Sequence, residues 1–399
     1  MTKKVSGFQN TVYWTNWSVY ARQYPPQKLP ADKVNQVLYS FMNVRADGTV
    51  RLSFSGDTYA DLEQHYPTDS WNDVGKNAYG AVKQLGLIKK SNRRLKVILS
   101  IGGWTWSTNF PAVAASPTAR ANFAKTSVEL VKDWGLDGID IDWEYPASSA
   151  DADNFILLLK AVRAELDAYS AQYAGGYKFL LTAAVPAGPS NYNILRLGQM
   201  GQILDYLNLM AYDYAGGWDL AHTGHQANLY PNPLNPDATP FSTDRAVNDY
   251  LAAGVPARKI VMGIPLYGRA FEGTSGLGQP ATGTGQGTWE AGVYDYKALP
   301  LAGSVEKYDI VAGASYSEDT SAKRIVSYDT IESVTKKLGF VSTKGLGGTM
   351  FWEASGDRTD SKSIIAKCFN DQGGDATIDQ TQNLLKYPNS TYDNIRNGL

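Results

Sequence analysis

Three carboxyl groups fall at every second position of Ile139-Asp140-Ile141-Asp142-Trp143-Glu144. Period two is the spacing of a β-strand, so Asp140, Asp142 and Glu144 share one face and Ile139, Ile141 and Trp143 the other. Neighbouring acids on that face are roughly 6–7 Å apart along the strand. Like charges so placed must share protons or find partners. A carboxyl that keeps its proton near neutral pH is what acid-catalysed bond cleavage requires. Glu144, the outermost, is the candidate general acid, and a closed cleft should raise its proton affinity. Asp142 and the deeper Asp140 are expected to titrate as a pair. An apolar back face does not suit a solvated edge strand; it calls for helices outside and a polar cavity inside. Asp137, before Gly138, falls off the period and is expected to be structural.

The elements around this block set its position. Strands are expected at residues 8–15, 34–44, 95–101, 139–144, 179–185, 206–212, 259–265 and 346–352. Helical spacing recurs between them at 74–90, 118–134, 151–169, 192–200 and 244–253, and at 361–369 after the last strand. Eight near-continuous apolar strands with helical stretches recurring between them are the pattern of an α/β fold, a parallel (β/α)8 TIM barrel. In such a barrel the C-terminal strand ends carry chemistry. About 80 residues separate the seventh and eighth strands, far more than an ordinary connection needs. The expected organisation is therefore a barrel of residues 1–270 and 343–399 with a small α+β insertion, 271–342. The polar tail from Gly373 is expected to lie along the surface.

Composition narrows the partners. The chain of 399 residues has 37 basic and 39 acidic side chains, a net charge of −2, which gives no electrostatic case for nucleic acid or an anionic membrane. The run Lys89, Lys90, Arg93, Arg94 reads as a solvated helix end. With 10 Trp and 25 Tyr the chain tilts towards sugar rings, which stack on aromatic faces. Cys368 stands alone in an apolar helical pattern, so it reads as a buried, inert thiol. His65, His222 and His225 show no metal-ligand spacing and read as surface or loop residues. No apolar run is long enough to span a bilayer. Met1-Thr2-Lys3-Lys4 lacks the apolar core of a signal peptide, which suits a cytoplasmic protein or a mature secreted form with an added Met. Asn16-Trp17-Ser18 and Asn389-Ser390-Thr391 are glycosylation sequons, favouring secretion weakly.

Asp137–Glu144 matches DxxDxDxE letter for letter, and on this the chain resembles family-18 glycoside hydrolases, the chitinase family, most of all fungal endochitinases. Further family blocks are Met210-Ala211-Tyr212-Asp213, Ile264-Pro265-Leu266-Tyr267-Gly268-Arg269 and Gly347–Trp352. The resemblance covers nearly the whole chain. It implies Glu144 as acid, with Asp140, Asp142 and Tyr212 joining it in catalysis. Asp142 would grip the substrate's acetamido N–H and Tyr212 its oxygen, so that this oxygen is the nucleophile. Trp104, Met210, Asp213, Tyr267, Arg269 and Trp352 would bind substrate, although Arg269 could equally be a structural ion pair. Tyr13, Phe41 and Ser100 would support the acids from behind. Non-proline cis peptides are implied at Ser40-Phe41, Glu144-Tyr145 and Trp352-Glu353. The activity implied is endo-acting, metal-free and cofactor-free hydrolysis of chitin or its oligosaccharides by a secreted monomer. An endo-N-acetylglucosaminidase acting on N-glycans would use the same chemistry. A chitinase-like lectin would lack the acid, and Glu144 and Asp142 are both present.

Overall fold

The computed structural model describes residues 6–51 and 57–399, so the opening Met1-Thr2-Lys3-Lys4 lies outside the described residues. Its strands are β1 (Gln9–Thr15), β2 (Gln36–Met42), β3 (Lys96–Gly102), β4 (Gly138–Asp142), β5 (Leu180–Pro186), β6 (Tyr206–Met210) and β7 (Ile260–Pro265). They continue as β8 (Tyr267–Glu272), β9 (Val293–Asp295), β10 (Val305–Asp309), β11 (Ala314–Asp319), β12 (Arg324–Ser327) and β13 (Gly348–Trp352). Eight of them close a parallel barrel in the order β1-β13-β7-β6-β5-β4-β3-β2. The other five form an antiparallel sheet, β10-β11-β12-β8-β9, within the long connection between β7 and β13.

By its contacts the chain divides into two compact units. Of the described residues, one comprises those within Thr11–Val185, Asn193–Leu207 and Asp379–Leu399; the other comprises those up to Asn10, Pro186–Tyr192 and Asn208–Ile378.

In the first unit β4 behaves as its alternation requires. Ile139 and Ile141 are fully buried, and Trp143 just beyond stacks on Phe110 at 5.5 Å and meets Phe155 edge-on at 5.4 Å. Those rings belong to the helices Phe110–Ala115 and Ser149–Tyr173, the layer that covers the outer face of the strand. β4 stops at Asp142 rather than Glu144, because its ladder partner β3 ends opposite it at Gly102. The helix expected from Val74 starts at Gly80, and Val74 is 94% exposed. Gly80 has φ +57, a value that a right-handed helix continuing from Val74 cannot contain, and any Cβ there would strike the Asp61 carbonyl.

Asp137 is structural. Its carboxylate pairs with Lys89 Nζ at 2.7 Å and accepts the Tyr177 hydroxyl at 3.0 Å and the N–H groups of Val97 and Leu384 at 2.8 and 3.1 Å. Lys89 is therefore not a solvated helix end. It is buried, donates also to the Gly135 carbonyl, and burial lowers its pKa against the pull of Asp137. Helix amphipathicity says which face is buried, but not that a buried charge awaits one of its lysines. Nor does the tail merely follow the surface. Asn383 donates to the carbonyls of Lys89 and Leu95, and the buried Tyr387 donates to that of Leu136 at 2.6 Å.

The second unit holds β7, β13, the five-stranded sheet and Cys368, which is buried as expected. His225 is not a surface residue. It is fully buried, with Nε2 3.4 Å from Asp309 on β10. The three peptide bonds Ser40-Phe41, Glu144-Tyr145 and Trp352-Glu353 are cis, as the resemblance implies. Among the described residues no helix is long and apolar enough to cross a membrane. Asn16 is buried and donates to Asp61 at 3.0 Å, so its sequon is closed in the folded chain, whereas Asn389 is exposed.

Candidate active site

The acids sit where β4 delivers them. Asp140 is fully buried and accepts three hydroxyls: Ser100 at 2.7 Å, Tyr13 at 3.0 Å and Thr182 at 2.6 Å. Those donors come from β3, β1 and β5, and three of them suit a carboxylate. Asp142 is buried one pleat further outward. Burial raises its pKa far above the usual carboxylate range, reinforced by the charges of Glu144 and Asp140 and by a hydrogen bond with Glu144. Asp142 is thus linked electrostatically to both of its neighbours on the block, Glu144 and Asp140. Asp140 lies beneath Asp142 on the same strand, two residues before it. Phe41 closes this half from the side, 6.2 Å from the Tyr13 ring and 6.3 Å from Trp17.

Gly102 and Gly103 turn the chain sharply after β3, both at positive φ. A Cβ on Gly102 would lie 2.1 Å from the Asp142 carbonyl oxygen, and one on Gly103 would enter the Phe41 ring. Only glycine permits that approach. The turn presents Trp104 with 76% of its surface open to solvent, which is the exposure a stacking platform needs and a core indole lacks.

The second unit assembles the other candidates. Beyond β6, whose end Met210 is half-buried, Tyr212 lies 3.8 Å from the Met350 sulfur and 6.3 Å, ring to ring, from Tyr267. Asp213 adopts φ +59 and accepts both the Tyr267 hydroxyl and Arg269 Nε at 2.6 Å. Burial first, and then the Asp213 charge, push the Tyr267 hydroxyl far above its ordinary pKa, so it stays a donor. Arg269 is in an ion pair here, and its guanidinium stacks 4.6 Å over Trp218. Trp352 ends β13 opposite Pro265, half-buried.

Four residues escaped the sequence reading. Thr182 is the one polar side chain in Leu180-Leu181-Thr182-Ala183-Ala184-Val185, a signal that an apolar strand interrupted by a hydroxyl does offer. Ser107 and Trp218 lie in loops without periodicity. Gly263, inside β7, would place a Cβ 2.7 Å from the Tyr212 ring and 2.5 Å from the Leu209 carbonyl oxygen. Gly263→Ala is therefore expected to displace Tyr212. Overpacking of this kind costs about 1–3 kcal/mol of stability. With Tyr212 acting on the substrate as the resemblance implies, its displacement should lower kcat on chitin oligomers about tenfold with a smaller change in KM, and an unchanged kcat would disconnect Tyr212 from the reaction.

A family model described as glycosyl hydrolases family 18 matches residues 9–357. The chain belongs to that family. It is a glycoside hydrolase. Chitinase 1 of Aphanocladium album is 58% identical over 397 residues, spanning 100% of this chain and 92% of the relative. Endochitinase 1 of Metarhizium robertsii is 56% identical over 394 residues, 99% of this chain and 91% of the relative. Among solved structures, chitinase ChiA74 from Bacillus thuringiensis superposes with a TM-score of 0.85 at 32% identity, covering 92% of this chain and 70% of that one. A family-18 hydrolase of this barrel fold carries its chemistry at the C-terminal strand ends.

Proposed function

We propose that this hydrolase is an endo-acting chitinase, secreted and monomeric, that cleaves β-1,4-linked N-acetylglucosamine polymers with retention of configuration. The observation that carries the reading is the buried Asp142, hydrogen-bonded with Glu144, above an Asp140 held by three hydroxyls. Glu144 gives its proton to the glycosidic oxygen as the bond to the anomeric carbon breaks. In this reading no residue of the acidic block serves as the nucleophile. Asp142 stands on the same strand face as Glu144, whereas a nucleophile must reach the opposite side of the sugar. The acetamido oxygen of the substrate takes that role, forming a bond to the anomeric carbon and an oxazolinium ion. Asp142 accepts the acetamido N–H and stabilises the charge that appears there. Tyr212 donates its hydroxyl to the acetamido oxygen and aims it. Glu144, now ionised, then takes a proton from the water that opens the ring.

Trp104 and Trp352 serve in this reading as sugar platforms on the leaving-group side and beneath the cleaved ring. Asp213 and Tyr267 bind hydroxyls, with Arg269 holding Asp213 in place. The insertion, residues 271–342, extends the surface that a linear polymer can occupy. The names of the fungal relatives and the presence of the acid favour chitin hydrolysis over a lectin. A time course of products from chitin hexamer, run beside an N-glycopeptide, tests the choice of substrate. Internal cleavage of the hexamer with no release from the glycopeptide is expected. Preferential release of the N-glycan would replace this reading with the endo-N-acetylglucosaminidase one.

A further inference from the structure

The ladder between β3 and β4 ends at the pair Gly102–Asp142, two residues short of Glu144. The backbone N–H of Glu144 therefore lies beyond that ladder. It donates to Ser107 Oγ at 2.8 Å. The Ser107 hydroxyl in turn donates to the Gly103 carbonyl at 2.9 Å, and the Gly103 N–H donates to the Asp142 carbonyl at 2.8 Å. Ser107 is 7% exposed, at the end of the single turn Trp104–Trp106 that follows the two glycines. One hydroxyl thus stands in for the missing strand residue. It ties the main chain of Glu144 to the loop that carries Trp104. Trp143, between Asp142 and Glu144, is already clamped by Phe110 and Phe155. With its N–H held as well, Glu144 is left with little freedom except in its own side chain.

We infer that Ser107 is a positioning residue for the proton donor, acting on Glu144 through its backbone. The inference rests on Glu144 being the acid. Proton donation to a leaving oxygen is sensitive to small misplacements. A substrate whose leaving group departs as a stable anion needs that donation far less. The dependence on leaving group therefore separates aim from mere stability, since a general loss of folded enzyme would affect every substrate alike.

The test compares kcat of wild type, Ser107→Ala and Glu144→Gln on chitin tetramer and on the 4-nitrophenyl glycoside of chitin dimer, with thermal unfolding to confirm the fold. Ser107→Ala is expected to lose about tenfold or more on the tetramer and less than about twofold on the aryl glycoside, with KM nearly constant. If that variant does not fold, Ser107→Cys, similar in size but a weak acceptor, carries the same comparison. Equal losses on the two substrates, or none on either, would overturn the role of Ser107 provided that Glu144→Gln shows the leaving-group dependence. If Glu144→Gln itself shows none, the acid assignment fails, and the inference about Ser107 fails with it.

Discussion

Glu144→Gln is expected to lower kcat on chitin oligomers by at least about 10²-fold while leaving oligomer binding intact. The substitution keeps the shape of the side chain and removes only the transferable proton. It also replaces an ionisable neighbour of Asp142 by a neutral one, so the pKa of Asp142 should fall in the variant. Binding measured by calorimetry and turnover measured on the same preparation separate the two effects. Near-normal turnover on natural oligomers would exclude Glu144 as the donor.

Asp137→Ala is expected to destabilise the protein by about 3–5 kcal/mol, since it strands the buried charge of Lys89. The same change frees the Tyr177 hydroxyl and the Leu384 amide, loosening the hold on the tail. Denaturant unfolding should show the loss, and residues 379–399 should become more accessible to protease. Where the variant remains folded, turnover should stay close to that of the wild type, because Asp137 stands at the start of β4 and the acid lies beyond its end. A loss below about 1 kcal/mol would mean that the pair is replaceable by solvent at that end of the strand.

The contrast between these two residues also marks what the sequence makes legible. Alternation put Asp140, Asp142 and Glu144 on one face and Trp143 on the other, because a strand has no other way to arrange them. The off-period Asp137 was readable as structural for the same reason. Its partner was not. Lys89 sits among other basic residues at a helix end, and only the packed structure brings it to a carboxylate 48 positions away, read from residues 89 and 137. The helix start was misplaced because a glycine at positive φ looks, in sequence, like any other glycine. The hydroxyls that occupy Asp140 come from three other strands, and the period of β4 does not announce them. Period and motif locate the acids; the donors around them are set by tertiary contacts between distant segments.

The claim that the nucleophile belongs to the substrate is tested most directly by hydrolysing partly deacetylated chitosan and sequencing the newly formed reducing ends. An enzyme that depends on the acetamido oxygen can cleave only where an N-acetylated sugar occupies the reacting position. Essentially every new reducing end should therefore be N-acetylglucosamine. Abundant glucosamine at those ends would contradict the mechanism, because a sugar without the acetyl oxygen could then be cleaved by a nucleophile that the enzyme itself supplies.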